Sequence, residues 1–341
     1  MSENVRGATS VDVAARAGVS QTTVSLVFRG GKAGARITEK TRDRVLKAAA
    51  ELDYRPNHAA RSLRQSRSMM IGMVLNFYSQ HAIDLVMAGR RTAAERGYQL
   101  LSLPGGSADV EASALDLAAR GVVDALVFCT IEDASRKQAV KLAKQGVPMV
   151  IVGLPSPHPL IPSVRIDLVS AGFMATSHLI DQGHSRVGFL APPGHRDEKG
   201  ERYEGYVKAV AERGAVVSDA LVAEAVPNYE GGYRAATRLL QLPLAERPTA
   251  LFAFNDDMAI GAIRAAKDLS MDIPGDIALI GCNGYRIDEF LVPQLSTVRV
   301  PGETYGIRAV DIVVDGLNGR AAPARDQMLP LSLEVRESSV R

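Results

Sequence analysis

From Met70 onward, short apolar runs alternate with longer stretches whose apolar positions recur every three to four residues. The runs Met70–Leu75, Tyr98–Leu103, Ala125–Cys129, Met149–Val152, Val187–Ala191, Ala250–Phe254 and Ile277–Cys282 have the length and composition of fully buried strands. Between them, Asp84–Arg96, Asp109–Arg120, Arg136–Gln145, Leu168–Gln182, Arg202–Arg213, Gly232–Leu240, Asp257–Leu269 and Thr304–Leu317 carry the helical period. This alternation predicts stacked βαβ units and parallel sheets, which take ligands beyond the carboxyl ends of their strands. A body of about 270 residues is large for one doubly wound sheet, so two lobes with a cleft between them are expected.

Before Met70 the pattern is purely helical. The predicted helices are Ser10–Ala17, Gln21–Phe28 and Glu39–Leu52, with a core of Val13, Ala14, Ala17, Val24, Val27, Val45, Leu46, Ala49 and Leu52. Thr9 and Asp12 have the spacing of a capping box, Gly18 supplies a turn, Val19 a buried hinge, and Ser20 caps the second helix. Two short helices joined by a glycine turn read as a helix-turn-helix. With Val24 and Val27 inward, Gln21, Thr22, Ser25 and Leu26 point outward. There a glutamine can pair with adenine and a threonine methyl can touch a thymine methyl, while the hydroxyls of Ser20, Thr23 and Ser25 suit phosphates. Taken alone, the same face also reads as an ordinary solvated one.

Charge shifts that balance. The 341 residues carry a net +2, but residues 1–68 hold 13 Lys+Arg against 6 Asp+Glu while the remainder is mildly acidic. A basic head on an acidic body suggests a polyanion partner; the head lacks the wide apolar stripe of a membrane-surface helix, so nucleic acid is favoured. There is no apolar leader and no run of about 18 apolar residues, so a cytoplasmic, nucleoid-associated protein without a membrane partner is expected. Cys129 and Cys282 lie in apolar runs and form neither a CxxC pair nor a disulfide framework. Nucleotide-binding glycine loops, GxSxG and HExxH are absent, and His178 and His184 flank a helix end without completing a metal site. No enzyme activity, cofactor or metal is expected; a sugar-metabolising enzyme with an incidental basic head is the weaker alternative.

The run Thr9-Ser10-Val11-Asp12-Val13-Ala14-Ala15-Arg16-Ala17-Gly18-Val19-Ser20-Gln21-Thr22-Thr23-Val24-Ser25 resembles the helix-turn-helix signature of the LacI/GalR (lactose repressor/galactose repressor) family. Tyr54-Arg55-Pro56-Asn57-His58-Ala59-Ala60-Arg61-Ser62-Leu63 resembles that family's hinge. Pro56 suits a helix start, and Asn57–Arg64 is too short to be a stable helix in isolation. The resemblance implies that two copies of Leu63 wedge into the minor groove and kink the operator, with Arg61 and Arg64 alongside; a flexible Arg/Ser linker is the alternative. Thr9, Ser20, Gln21, Thr22, Thr23, Ser25, Leu26, Asn57, Arg61, Leu63 and Arg64 are thus the candidate DNA-binding residues. Leu26 replaces an arginine common in the family, and Arg29–Arg36 forms a longer loop than in the family's namesake, so the operator sequence does not carry over.

Further resemblances lie at His178–Leu190, Asn255–Ala262 and Pro293–Arg299, and they imply a periplasmic-binding-protein type I core. The fold class expected is α/β: a three-helix helix-turn-helix head and a hinge helix, then a two-lobed core with parallel sheets. The divisions expected are a DNA-binding domain over 1–56, a hinge over 57–68 and an effector-binding, dimerising core over 69–341. Within the core the first lobe is 69–167 with 296–325, and the second 168–295 with 326–341. Phe77, His81, Arg202, Asn255 and Asn283 are the candidate effector residues. Asp256 reads rather as a helix cap, and the Phe77, Tyr78 and His81 stretch as a cleft wall or a plain loop. Asn283 stands where many members have aspartate and Gly284 follows in place of a second acid, while Val300 and Gly153 replace a glutamine and an aspartate of the namesake. Fewer acceptors suit an effector with an acidic group or an apolar surface better than a plain polyol. The resemblance implies a homodimer on an inverted-repeat, double-stranded DNA operator, with a small-molecule effector (a sugar or related metabolite) acting as inducer or corepressor. The family's tetramerising tail is not seen before Arg341, so a dimer is expected.

Overall fold

The computed structural model describes residues 8–29, 37–54, 67–75, 80–104, 107–194, 200–215, 218–320 and 326–340. The chain divides into two compact units, Met1–Ser68 and Met69–Arg341.

Among its described residues the first unit holds three helices, α1 (Ser10–Ala17), α2 (Gln21–Arg29) and α3 (Glu39–Glu51). The capping box forms in both directions: Asp12 N donates to Thr9 Oγ1 and Thr9 N donates to Asp12 Oδ2. Gly18 ends α1 in the left-handed region (φ +63°), where a Cβ would be strained. The core is Val13, Ala14, Ala17, Val24, Val27, Val45, Ala48 and Ala49. Two expectations need correction. Leu46 is 45% exposed and Ala48 is buried in its place, because the inward stripe of α3 runs through 45, 48–49 and 52. Val19 packs at the edge of that core, half-buried.

Among its described residues the second unit holds two six-stranded sheets. In chain order its elements are β1 (Met70–Leu75), α4 (Gln80–Glu95), β2 (Gln99–Pro104), α5 (Ala108–Ala119), β3 (Ala125–Phe128), α6 (Asp133–Lys144), β4 (Met149–Val152), β5 (Ser163–Arg165), α7 (Leu168–Asp181), β6 (Val187–Ala191), α8 (Glu201–Glu212), β7 (Val222–Glu224), α9 (Tyr229–Leu240), β8 (Ala250–Ala253), α10 (Asp256–Asp268), β9 (Ala278–Asn283), β10 (Ser296–Arg299), α11 (Gly302–Leu317), β11 (Asp326–Met328) and β12 (Ser332–Glu334). The strand orders are β11-β5-β4-β3-β1-β2 and β12-β10-β9-β8-β6-β7, every pairing parallel except β10 with β12. Each sheet reverses its strand order at one point, between β1 and β3 and between β6 and β8, and there a crevice opens at the carboxyl ends.

The chain passes between lobes three times, and two of these passages differ from the expected divisions. β10, expected in the first lobe from residue 296, pairs with β9 in the second sheet; β11, expected in the second lobe from residue 326, pairs with β5 in the first. Both are segments of three or four residues, too short for their apolar pattern to say which sheet will receive them. The second lobe's base is tied by hydroxyls: Ser296 N donates to Ser338 Oγ, Ser338 Oγ to the Leu279 carbonyl, and Ser339 Oγ to Ser296 Oγ. His178 bonds Ser339 (2.7 Å) and His184 bonds Thr249 (3.1 Å). Among the described residues no helix is long and apolar enough to cross a membrane.

Candidate functional site

In the first unit the site is built on α2. Val24 (1% exposed) and Val27 (6%) fix its rotation, leaving Ser20, Gln21 and Thr22 exposed and Thr23, Ser25 and Leu26 half-buried along the outer face. Ser20 caps the helix, accepting from Thr23 N at 3.1 Å, so its hydroxyl is spent on the backbone as well as facing outward. Gln21 Nε2 donates to Ser10 Oγ at 2.8 Å, which ties the first residues of α1 and α2 together. Thr9 is exposed but engaged in the α1 cap. The face is uncharged and polar, with donors and acceptors in its first two turns, the arrangement a major groove reads. Asn57, Arg61, Leu63 and Arg64 lie outside the described residues, as do Phe77 and Tyr78.

In the second unit Arg202, Asn255 and Asn283 follow or end second-lobe strands, and the Arg202 charge reaches His81, which follows β1 of the first lobe. Arg202 sits in the first turn of α8, and α8 is pressed onto α7 at two glycines: a Cβ on Gly172 would lie 2.1 Å from the Arg202 carbonyl, and one on Gly205 would lie 2.0 Å from that of Val169. That close approach fixes the guanidinium, which lies over the Phe254 ring (4.4 Å) and donates to Asn283 Oδ1 at 3.4 Å. Asn283 occupies a left-handed φ of +139°, held on both sides: Val300 N donates to its carbonyl at 3.0 Å, and the next residue, Gly284, donates from its N to Asp256 at 2.6 Å. Strain of this kind, costing about 1–3 kcal/mol, is kept where the surroundings over-determine it, typically at ligand clamps.

Two assignments change. The cap of α10 is Asn255, which accepts from Met258 N at 2.9 Å and donates to the Pro227 carbonyl at 3.1 Å. Asn255 is 8% exposed, and both ends of its amide are spent on backbone groups. Asp256 is not that cap; it is fully buried and accepts from Gly284 N, Tyr285 N and Thr297 Oγ1, clamping β9 to β10. Beneath it Asp288 is also fully buried, and neither of its carboxylate oxygens has a hydrogen-bond partner. Burial, then the Asp256 charge, push the Asp288 carboxyl up to about 9, so it stands protonated at neutral pH. Burial likewise raises Asp256, against the pull of its three hydrogen bonds.

His81 packs edge-on to Tyr305, ring centroids 5.6 Å apart. Burial and the Arg202 charge pull its imidazole down to about 4, so it is neutral at neutral pH. Burial pushes the Cys129 thiol up to about 12, and Cys282 is raised for the same reason, so both are inert apolar fillers. Pattern reading misses Arg165, Phe254, Tyr305 and Asp288. Arg165 ends a three-residue strand too short for a period; Tyr305 and Asp288 look like core and surface respectively. Among the described residues no group of three or more His, Cys, Asp or Glu could hold a metal.

Comparison with known proteins places this geometry. Residues 10–57 match the family described as bacterial regulatory proteins, lacI family, and residues 176–339 match a periplasmic binding protein-like domain. Catabolite control protein A of Priestia megaterium is 30% identical over 97% of this chain and 99% of its own. The HTH-type transcriptional repressor PurR of Escherichia coli O139:H28 is 30% identical over 96% of both chains. The crystal structure of the lac repressor dimer bound to operator and the anti-inducer ONPF superposes with a TM-score of 0.82 at 25% identity, covering 98% of this chain and all of that one. A capped helix-turn-helix followed by a two-lobed, cleft-bearing core, matched along nearly the whole chain, makes this protein a member of the LacI family of bacterial regulatory proteins.

Proposed function

We propose that the protein is a cytoplasmic, homodimeric transcriptional repressor whose hold on an inverted-repeat operator is set by a small molecule between the lobes of its core. The observation that carries this reading is Arg202: a guanidinium positioned by the α7–α8 glycine contact, aimed over Phe254 and Asn283, on a chain that also carries a capped reading helix. Each copy sets Gln21–Leu26 in the major groove of one half-site, and the paired hinges at 57–68 bend the centre through Leu63. The effector biases the arrangement of the two lobes, and with it the pairing of the hinges. To turn an operator from mostly bound to mostly free it must prefer one arrangement by about 10⁴-fold.

Exposed apolar side chains support the dimer. Ile83 (50% exposed) and Met87 (58%) lie one turn apart on α4, and Ile287, Phe290 (72%) and Val292 (90%) cluster before β10. Soluble chains seldom leave such groups bare without a partner. The reading is of binding without turnover. It is tested by operator-bound fluorescence anisotropy while metabolite fractions are added. Wild type responds to one fraction and Arg202→Ala does not; where the effector is an inducer, Arg202→Ala still binds the operator. A normal response in Arg202→Ala, or turnover of the active compound, contradicts the reading.

A further inference from the structure

Arg165 ends β5 in the first lobe, and Arg202 opens α8 in the second. Both are half-buried, and the Nε of each is buried without a hydrogen-bond partner. Neither forms an ion pair with a described residue: the partners of Arg202 are the neutral Asn283 and the Cys282 thiol. Yet both charges act on the same two groups, the Tyr305 hydroxyl and the Glu201 carboxyl.

The acids around them are occupied. Asp256 accepts from two backbone amides and Thr297, Asp257 accepts from the Tyr285 hydroxyl, and Asp167 accepts from the Ser170 amide and hydroxyl. Glu201 is the acid nearest in sequence, and burial favours its neutral form. His81 contributes a neutral ring. Glu201 feels both charges and Asp167 that of Arg165, yet among the described residues neither guanidinium is closed into an ion pair; two half-buried guanidinium groups left so are costly for the empty protein and favourable for a negative guest. Guanidinium is also the side chain whose planar donors match carboxylate and phosphate oxygens in pairs.

We propose that the effector carries a carboxylate or phosphate-monoester group, held between Arg165 of the first lobe and Arg202 of the second. This rests on the effector-cleft reading above and narrows it. A group that bonds one cation from each lobe binds the closed arrangement better than the open one, which is the differential affinity control requires.

The test is thermal denaturation of the full chain with inorganic phosphate, gluconate, glucose 6-phosphate and neutral glucose, chloride fixing the ionic strength, in wild type, Arg165→Gln, Arg202→Gln and the double variant. At least one anionic probe is expected to raise the melting temperature of wild type beyond the chloride control. Each single substitution is expected to weaken that probe about 10-fold or more, and the double variant to abolish the shift. Phosphate and glucose 6-phosphate acting without gluconate identify a phosphate guest; gluconate acting alone identifies a carboxylate. A shift by glucose alone, lost in Arg202→Gln, overturns the anion proposal and leaves the effector cleft standing. No shift by any anion overturns it, as does an anion shift that survives in the double variant.

Discussion

Gln21 Nε2 and Ser10 Oγ are 2.8 Å apart, so the first residue of the reading helix is held by the first residue of the helix before it. That bond uses one amide hydrogen and orients the rest of the amide, whose oxygen and second hydrogen together match adenine's major-groove edge. Gln21→Ala is expected to cost about 1–3 kcal/mol of discrimination at a single operator position, read by competing single-base operator variants. Ser10→Ala, which frees the amide without removing it, loses less. Equal loss on every base variant would make Gln21 a phosphate contact instead.

Asp256 and Asp288 set a pH dependence for the core. The charged and titratable neighbours of the pair are Asp257, Tyr229, Tyr285 and Arg336. With Asp288 raised to about 9, the folded state holds a proton that the unfolded state releases near pH 4. Stability from this group is therefore complete below about pH 4 and is lost as pH rises towards 9. Asp288→Asn keeps the shape and removes the titration. Urea denaturation from pH 5 to 9 is expected to show a flatter profile and a more stable core at the alkaline end in that variant. An unchanged slope would assign the proton elsewhere.

Met87→Glu and Phe290→Glu place charges among the exposed apolar groups of α4 and of the segment before β10. Both side chains are already exposed, 58% and 72%, so the folded chain is expected to survive each change. Sedimentation should then show a shift towards monomer, with operator affinity falling while the melting curve of the core changes little. Variants that remain dimeric at micromolar concentration would move the subunit contact to another face.

The α2 face was legible because Val24 and Val27 fix a helix whose other positions are polar, and the Thr9–Asp12 box states its start. The parallel core was legible because buried strands such as Val187–Ala191 are uninterrupted apolar runs. Two of the three lobe passages were not: β10 and β11 are four and three residues long, and no period says which sheet receives so short a segment. The cleft was half legible. Arg202 and Asn283 stand in motif-like surroundings, but Arg165 becomes a cleft residue only once β5 ends beside the passage between lobes. Asp256 reads as a cap in the sequence because Asn255, one residue earlier, has the same capping chemistry, and it is Asn255 that takes that role.

Leu63 carries the proposed wedge. Leu63→Ala is expected to lose specific affinity while retaining the non-specific, salt-sensitive part, whose logarithmic slope is about 0.9 per phosphate neutralised. Titrations at several salt concentrations, on operator and on unrelated duplex, separate the two. An unchanged ratio between them would remove Leu63 from the operator centre.

The central claim is that this chain reads a DNA sequence as a dimer under the control of a small molecule. Its most direct test is selection of the purified full chain on a randomised duplex library at physiological salt, run with and without a metabolite pool. The account predicts enrichment of one inverted repeat with a flexible central step, changed by the pool in one direction. Enrichment of no sequence under either condition would contradict it, leaving a basic head that binds DNA only by charge.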